Sequence, residues 1–99
     1  MKKNQDYLNL LRNINLNPNI SQRELASKLG FSLGKLNYCM KSLRAKGFIK
    51  IKNFKKNPKK LNYIYLLTPQ GIAHKAKLTV NFMKLKMTEY DELKKDMED

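Results

Sequence analysis

Apolar and polar positions change period along this chain, and each change marks a new element. In the first segment, NQDYLNLLRNI, Tyr7, Leu8, Leu11 and Ile14 recur at helical spacing. The asparagines and Pro18 of NLNPN end that helix. Ile20 then precedes SQREL, where Ser21 and Glu24 stand at capping-box spacing. In such a box the hydroxyl accepts from the third helical amide and the carboxylate reaches back. Ile20 and Leu25 hold the flanking staple positions. A short helix is predicted from Ser21 to Gly30, a residue suited to a left-handed stop. FSLGKLNYCMKSLRAKG follows, with Ser32 as cap and Phe31 and Leu36 at staple spacing. Leu33, Leu36, Met40 and Leu43 form its apolar stripe, Cys39 lies on the margin, and Gly47 supplies the stop. Two short helices joined by a tight turn at Gly30 predict a helix-turn-helix.

The period then shortens to two. FIKIKNF alternates Ile49 and Ile51 with Lys50 and Lys52, and LNYIYLLT is rich in strand formers. KKNPKK between them predicts a hairpin with a basic, proline-bearing tip. Both rows of the second strand are apolar, so both of its faces are expected to be covered. Thr68 caps a last helix and Pro69 fits its first turn, while Gly71 sits near the start, where it costs little. A helix from Pro69 to Met97 would run about 43 Å. Ala76, Val80, Met83, Met87, Tyr90 and Met97 form a coiled-coil-like seam along it, widened by Leu78, Phe82 and Leu85. A small body cannot cover so long an apolar helix, and a second copy of the chain is the simplest cover. The expected fold is mainly α with a small β-hairpin. It is a winged helix-turn-helix domain over residues 1–68, with the helix-turn-helix at about 21–46 and the wing hairpin at about 48–67. A long C-terminal dimerisation helix follows over 69–97.

Charge narrows the function. The 99 residues carry a formal net charge of +13, unevenly spread. Between Glu24 and Glu89 lie fifteen Lys or Arg residues and no acid, whereas six acids follow Lys86. A basic body with an acidic tail points to a polyanion, of which nucleic acid is the commonest. One cysteine excludes an internal disulfide framework. No apolar run is long enough to span a membrane, and none follows Lys2 and Lys3 as a secretory signal would require. A cytoplasmic protein of one small domain is expected.

In a winged helix the hairpin tip lies beside the second helix of the helix-turn-helix. Lys55, Lys56, Lys59 and Lys60 would then reach phosphates, with Asn57 and Pro58 as the turn. With Leu36 at the centre of the buried stripe, the opposite face of that helix carries Gly34, Tyr38, Lys41 and Ala45, flanked by Lys35, Asn37 and Ser42. Small residues permit close approach to a major groove, Lys suits guanine edges or phosphates, and Asn suits adenine. Ser21, Gln22 and Arg23 open the preceding helix, whose free amides suit a phosphate.

SQRELA, SLGKLNYC, KGFIK, YLLTPQGI and KLTVNFMKLKMTEYDEL resemble the winged-helix core of MarR-type bacterial regulators. They are most similar to the short, exopolysaccharide-associated subgroup. The resemblance spans roughly residues 5–93, and its most specific part is SLGKLNYCMKSL joined to YLLTPQGIAHKAKLTVNF. It implies a DNA-binding transcriptional regulator, often encoded near polysaccharide biosynthesis genes, and with the outer face of the reading helix a sequence-specific one is expected. By position it puts Ser32, Gly34, Lys35, Asn37, Tyr38 and Lys41 on the DNA-reading helix and Lys55, Lys56, Lys59 and Lys60 on the wing. The wider family has extra helices at both ends, which build its dimer and often a ligand pocket. This chain has one short helix before the helix-turn-helix and one long helix after the wing. The homodimer would therefore rest on Ala76, Val80, Met83, Met87 and Tyr90, and a small-molecule effector is not expected. NFKKNP also lacks the wing Asp-x-Arg pair of the wider family, leaving simple lysine electrostatics.

Other residues carry less. Cys39 has no second Cys or metal partner and reads as a packed, inert thiol. His74 has no ligand at metal-site spacing, so neither a metal nor a cofactor is expected. The methionines fit adaptable packing between helices, and the acidic tail reads as a solvated helix end. No paired carboxylates, nucleophile with a base or Gly-rich phosphate loop stands out, so an enzyme is not expected. Two alternatives stay open: a non-specific or architectural nucleic-acid-binding protein, and a winged-helix module that meets an acidic protein partner.

Overall fold

Residues 2–57 and 60–98 are described by the computed structural model, without the side chains of residues 2 and 53–63. The N-terminal helix α1 (Lys2–Leu16) carries the centre of the core. Tyr7, Leu8, Leu10, Leu11 and Ile14 are all buried on it. The break at 17–20 returns the chain to Ile20, which is buried as well.

Helix α2 (Gln22–Leu29) begins as its cap dictates: the Ser21 hydroxyl accepts from the Glu24 amide at 3.1 Å. The return half of the expected capping box does not form, and Glu24 stays in solvent. Gly30 ends the helix at φ 70°, where a side chain would strain the backbone. Helix α3 (Leu33–Ala45) starts likewise, with Ser32 accepting from the Lys35 amide at 3.1 Å. Leu36, Cys39, Met40 and Leu43 are buried, but Leu33 is 46% exposed and leaves the expected stripe. It stands in the first turn, where the stripe runs beyond the surface that covers Leu36.

Strands β1 (Ile49–Asn57) and β2 (Lys60–Leu67) form one antiparallel hairpin, paired from Ile49↔Leu67 to Asn57↔Lys60. A register irregularity falls between Lys55 and Asn57. Ile49 and Tyr65 are buried, while Lys50 and Lys52 line the exposed row of β1. Ile64, Leu66 and Leu67 are half-buried, in keeping with cover on both faces of β2. The Tyr65 amide also donates to the Pro18 carbonyl at 3.3 Å, joining the hairpin to the loop after α1.

Helix α4 (Pro69–Glu98) is longer than any other element, and the molecule measures 66 × 26 × 20 Å along its principal axes. Thr68 fixes its start. Its hydroxyl accepts from the Gly71 amide at 3.0 Å and donates to the Gly47 carbonyl at 2.5 Å. Gly71 is more than a cheap residue near a helix start, because a Cβ there would overlap the carbonyl of Phe48. Leu78 and the half-buried Phe82 join the core. An apolar groove of about 410 Å³ opens between α1 and α4, bounded by Gln5 and Leu8 on one side and Leu78, Phe82 and Leu85 on the other. No described helix is long and apolar enough to cross a membrane.

Candidate nucleic-acid interface

Helix α3 turns one face to the core and the other outward. Ser32, Gly34, Asn37, Tyr38 and Lys41 are exposed there, Tyr38 by 63%. Nothing lies within 4 Å of where a Gly34 Cβ would stand, so this stretch is open to close approach. No acidic residue occurs on α3 or on either strand. The face is therefore positive, with polar side chains fixed on a rigid helix.

Two expected members of the face make contacts with α1, Lys35 while staying exposed. The Lys35 ammonium lies 2.9 Å from Asp6 Oδ2 and 4.3 Å above the Phe31 ring. Ser42, expected on the outer flank, is half-buried, and its Oγ accepts from the Tyr7 hydroxyl at 3.2 Å. The two contacts brace α3 against α1 at both ends.

Two residues outside the expected set share the outer surface. Leu33 is exposed, four residues before Asn37 and on the same flank. Arg44 is exposed seven residues after Asn37, again on that flank. The heptad spacing of Asn37 and Arg44 was a usable sequence signal. The exposure of Leu33 had none, because apolar residues in a first turn are buried or exposed according to their tertiary neighbours.

At the start of α2, Ser21 and Arg23 are exposed, and the amides of Gln22 and Arg23 have no acceptor within their helix. Gln22 is committed elsewhere, since its side-chain amide donates to the Tyr65 hydroxyl at 2.9 Å. That bond ties the helix-turn-helix to β2. On the hairpin, Lys55, Lys56 and Asn57 belong to β1 and Lys60 begins β2, so Asn57 is the last residue of a strand. Their side chains, with Pro58 and Lys59, lie outside the described residues. Lys50 and Lys52 extend the basic row along β1 towards the tip.

Neither the thiol nor the imidazole belongs to this face. Cys39 is buried, and that burial pushes its pKa up, opposed by Lys35 and assisted by Asp6. His74 stacks on Phe48 with ring centroids 4.2 Å apart, and burial, then Lys46 and Lys77, lower its pKa. Among the described residues no group of His, Cys, Asp or Glu could hold a metal ion.

The arrangement is a winged helix-turn-helix followed by a long helix, and comparison with known proteins agrees. The sequence model of a winged helix-turn-helix DNA-binding family matches residues 8–50, from α1 to the start of β1. Solved structures with the same fold include MarR-family regulators. PcaV, a transcriptional regulator from Streptomyces coelicolor solved with its natural ligand, is similar at a TM-score of 0.73 and 14% identity, over 87% of this chain and 60% of its own. A mutant of MepR from S. aureus is similar at 0.72 and 16% identity, over 88% and 64%. FabT from Streptococcus pneumoniae, solved in complex with DNA, is similar at 0.61 and 18% identity, over 87% and 58%. This chain thus spans less than two thirds of the length of these three proteins. At these identities the likeness is one of fold. No curated protein matches the sequence.

Proposed function

We propose that this chain is a MarR-type, sequence-specific DNA-binding transcriptional regulator that acts as a homodimer. The outer face of α3 carries the reading: exposed Gly34, Asn37, Tyr38 and Lys41 stand together with no acid on the helix. In this reading α3 enters a major groove. Asn37 and Lys41 face base edges, and Tyr38 faces a phosphate or a thymine methyl. Leu33 and Arg44 widen the contact. Ser21 and Arg23 meet phosphate at the start of α2, and the wing lysines Lys55, Lys56, Lys59 and Lys60 add salt-dependent grip. Two copies joined through α4 would span half-sites about 34 Å apart. The DNA-bound neighbour of this fold and the charge of +13 support the DNA reading. The resemblance of the sequence to the exopolysaccharide-associated subgroup supports polysaccharide biosynthesis genes as targets.

The test is fluorescence anisotropy with two duplexes at low and near-physiological salt. One is the DNA upstream of the protein's own gene and the other a shuffled sequence of equal length. Tight binding to the first that survives salt, with release of the second, supports the reading. A panel of genomic fragments that all release together would replace it with a general nucleic-acid binder.

A further inference from the structure

Helix α4 is apolar on two sides. Leu78 and Phe82 face the body, while Ala76, Val80, Met83, Met87, Tyr90 and Met97 are all exposed. These exposed positions advance by four and three residues in alternation, and Lys94 fills the one gap. That is a heptad seam, which buries itself against another helix.

We propose that this seam pairs with the α4 of a second copy in antiparallel orientation. Its register is set by ion pairs from Lys77 to the partner's Glu98 and from Lys84 to the partner's Asp91. The proposal rests on the homodimer inferred above and adds its orientation and register.

Lys77, Lys84, Asp91 and Glu98 recur every seven residues on one edge of the seam, and all four are exposed. The edge is basic in its first half and acidic in its second. In an antiparallel pair this edge lies beside the same edge of the partner, running the other way. Placing Met87 against the partner's Tyr90 brings each lysine of the edge to an acid. A slide of one heptad in one direction sets Lys84 against the partner's Lys84. A slide in the other sets Asp91 against the partner's Asp91. Like charges so placed repel, so one register satisfies all four positions.

A parallel pair fits the charges badly. It would put Lys94 beside the partner's Lys94 within the seam. It would also gather Glu89, Asp91, Glu92, Asp96 and Glu98 of both copies at one end. The same edge would then face Thr79, Lys86 and Leu93 of the partner, where Lys86 meets Asp91 but no acid meets Lys77 or Lys84. The antiparallel overlap is about 20 residues, or roughly 30 Å. It gives Asp91 and Glu98 of the acidic tail their complement in the basic half of the same helix.

The experiment uses two charge variants of the full chain. Asp91→Lys with Glu98→Lys makes the edge wholly basic, and Lys77→Glu with Lys84→Glu makes it wholly acidic. Sedimentation equilibrium is run on the wild type, each variant and their equimolar mixture, with circular dichroism to check helix content. The expected result is a dimeric wild type, dimerisation weakened about a hundredfold in each variant alone, and dimers restored in the mixture. Variants that stay as dimeric as the wild type, or monomeric variants that fail to rescue each other, overturn the antiparallel register and leave the homodimer standing. A monomeric wild type overturns the homodimer and the register together.

Discussion

Lys35 in the first turn of α3 reaches back to Asp6 of α1, Nζ to Oδ2 at 2.9 Å. A cation on the candidate reading helix is thereby held by an acid of the protein itself. The pair is partly exposed, so it is worth no more than about 1 kcal/mol to the fold. Its larger consequence would concern DNA, because Asp6 would compete with phosphate for the ammonium. Asp6→Asn is expected to cost little stability in urea titrations. It should raise affinity for duplexes of any sequence and steepen the slope of log K against log salt by up to ~0.9. An unchanged slope would mean that Lys35 does not approach the backbone.

Gly71 and Gly34 make opposite demands. Gly71 is buried with its Cα against the carbonyl of Phe48, where a Cβ would overlap backbone that cannot swing aside. Gly71→Ala should therefore destabilise by about 3 kcal/mol, as overpacking does. Gly34 has open space around it. Gly34→Ala should leave the free protein unharmed, or up to about 1 kcal/mol more stable from helix propensity. It should nonetheless weaken DNA binding if α3 lies close in a groove. Chemical denaturation of both variants, with anisotropy on the second, checks this; equal stability losses would contradict it.

Local chemistry made the elements legible in advance. Ser21, Ser32 and Thr68 each cap the helix that their spacing announces, and Gly30 and Gly47 take the positive φ that a helix stop requires. The switch from helical to alternating pattern placed β1 and β2. Tertiary relations were not legible in this way. Lys35 and Ser42 sit where a bare helical wheel points them outward or to the flank, and only the approach of α1 turns them to Asp6 and Tyr7. Gly71 reads as a tolerated glycine until Phe48 is seen against it. Along α4 the pattern gave one broad apolar stripe. The structure divides it into an inner side, with Leu78 on the core, and an outer side that the chain leaves exposed.

His74 should make stability fall in mild acid. Its pKa is lowered from an ordinary 6.5, first by burial against Phe48 and then by Lys46 and Lys77. The unfolded chain takes up a proton near pH 6.5, whereas the folded chain resists it. The imidazole's contribution is therefore complete above that pH and is lost as pH falls from 6.5 through the lowered folded value. Urea midpoints measured from pH 7 to 5 should decline more steeply in the wild type than in His74→Phe, which keeps a ring to stack. Parallel declines in the two proteins would remove His74 from the account.

Base reading and phosphate grip should separate in two further variants. Asn37 is exposed on a rigid helix face, and its amide can both donate and accept at an adenine edge. Lys56 lies on β1 towards the hairpin tip, where a lysine would meet phosphate regardless of sequence. Asn37→Ala should therefore cost about 1–3 kcal/mol on the preferred duplex and little on unrelated DNA, so the ratio between them shrinks. Lys56→Ala should weaken all duplexes alike and flatten the salt slope by ~0.9. Anisotropy titrations of both variants on both duplexes, at several salt concentrations, distinguish the two roles. Loss of affinity spread evenly across all duplexes in both variants would sink the assignment of α3 as the reading helix. The protein would then hold DNA by charge alone, with lysines of α3 and β1 serving one undifferentiated basic surface.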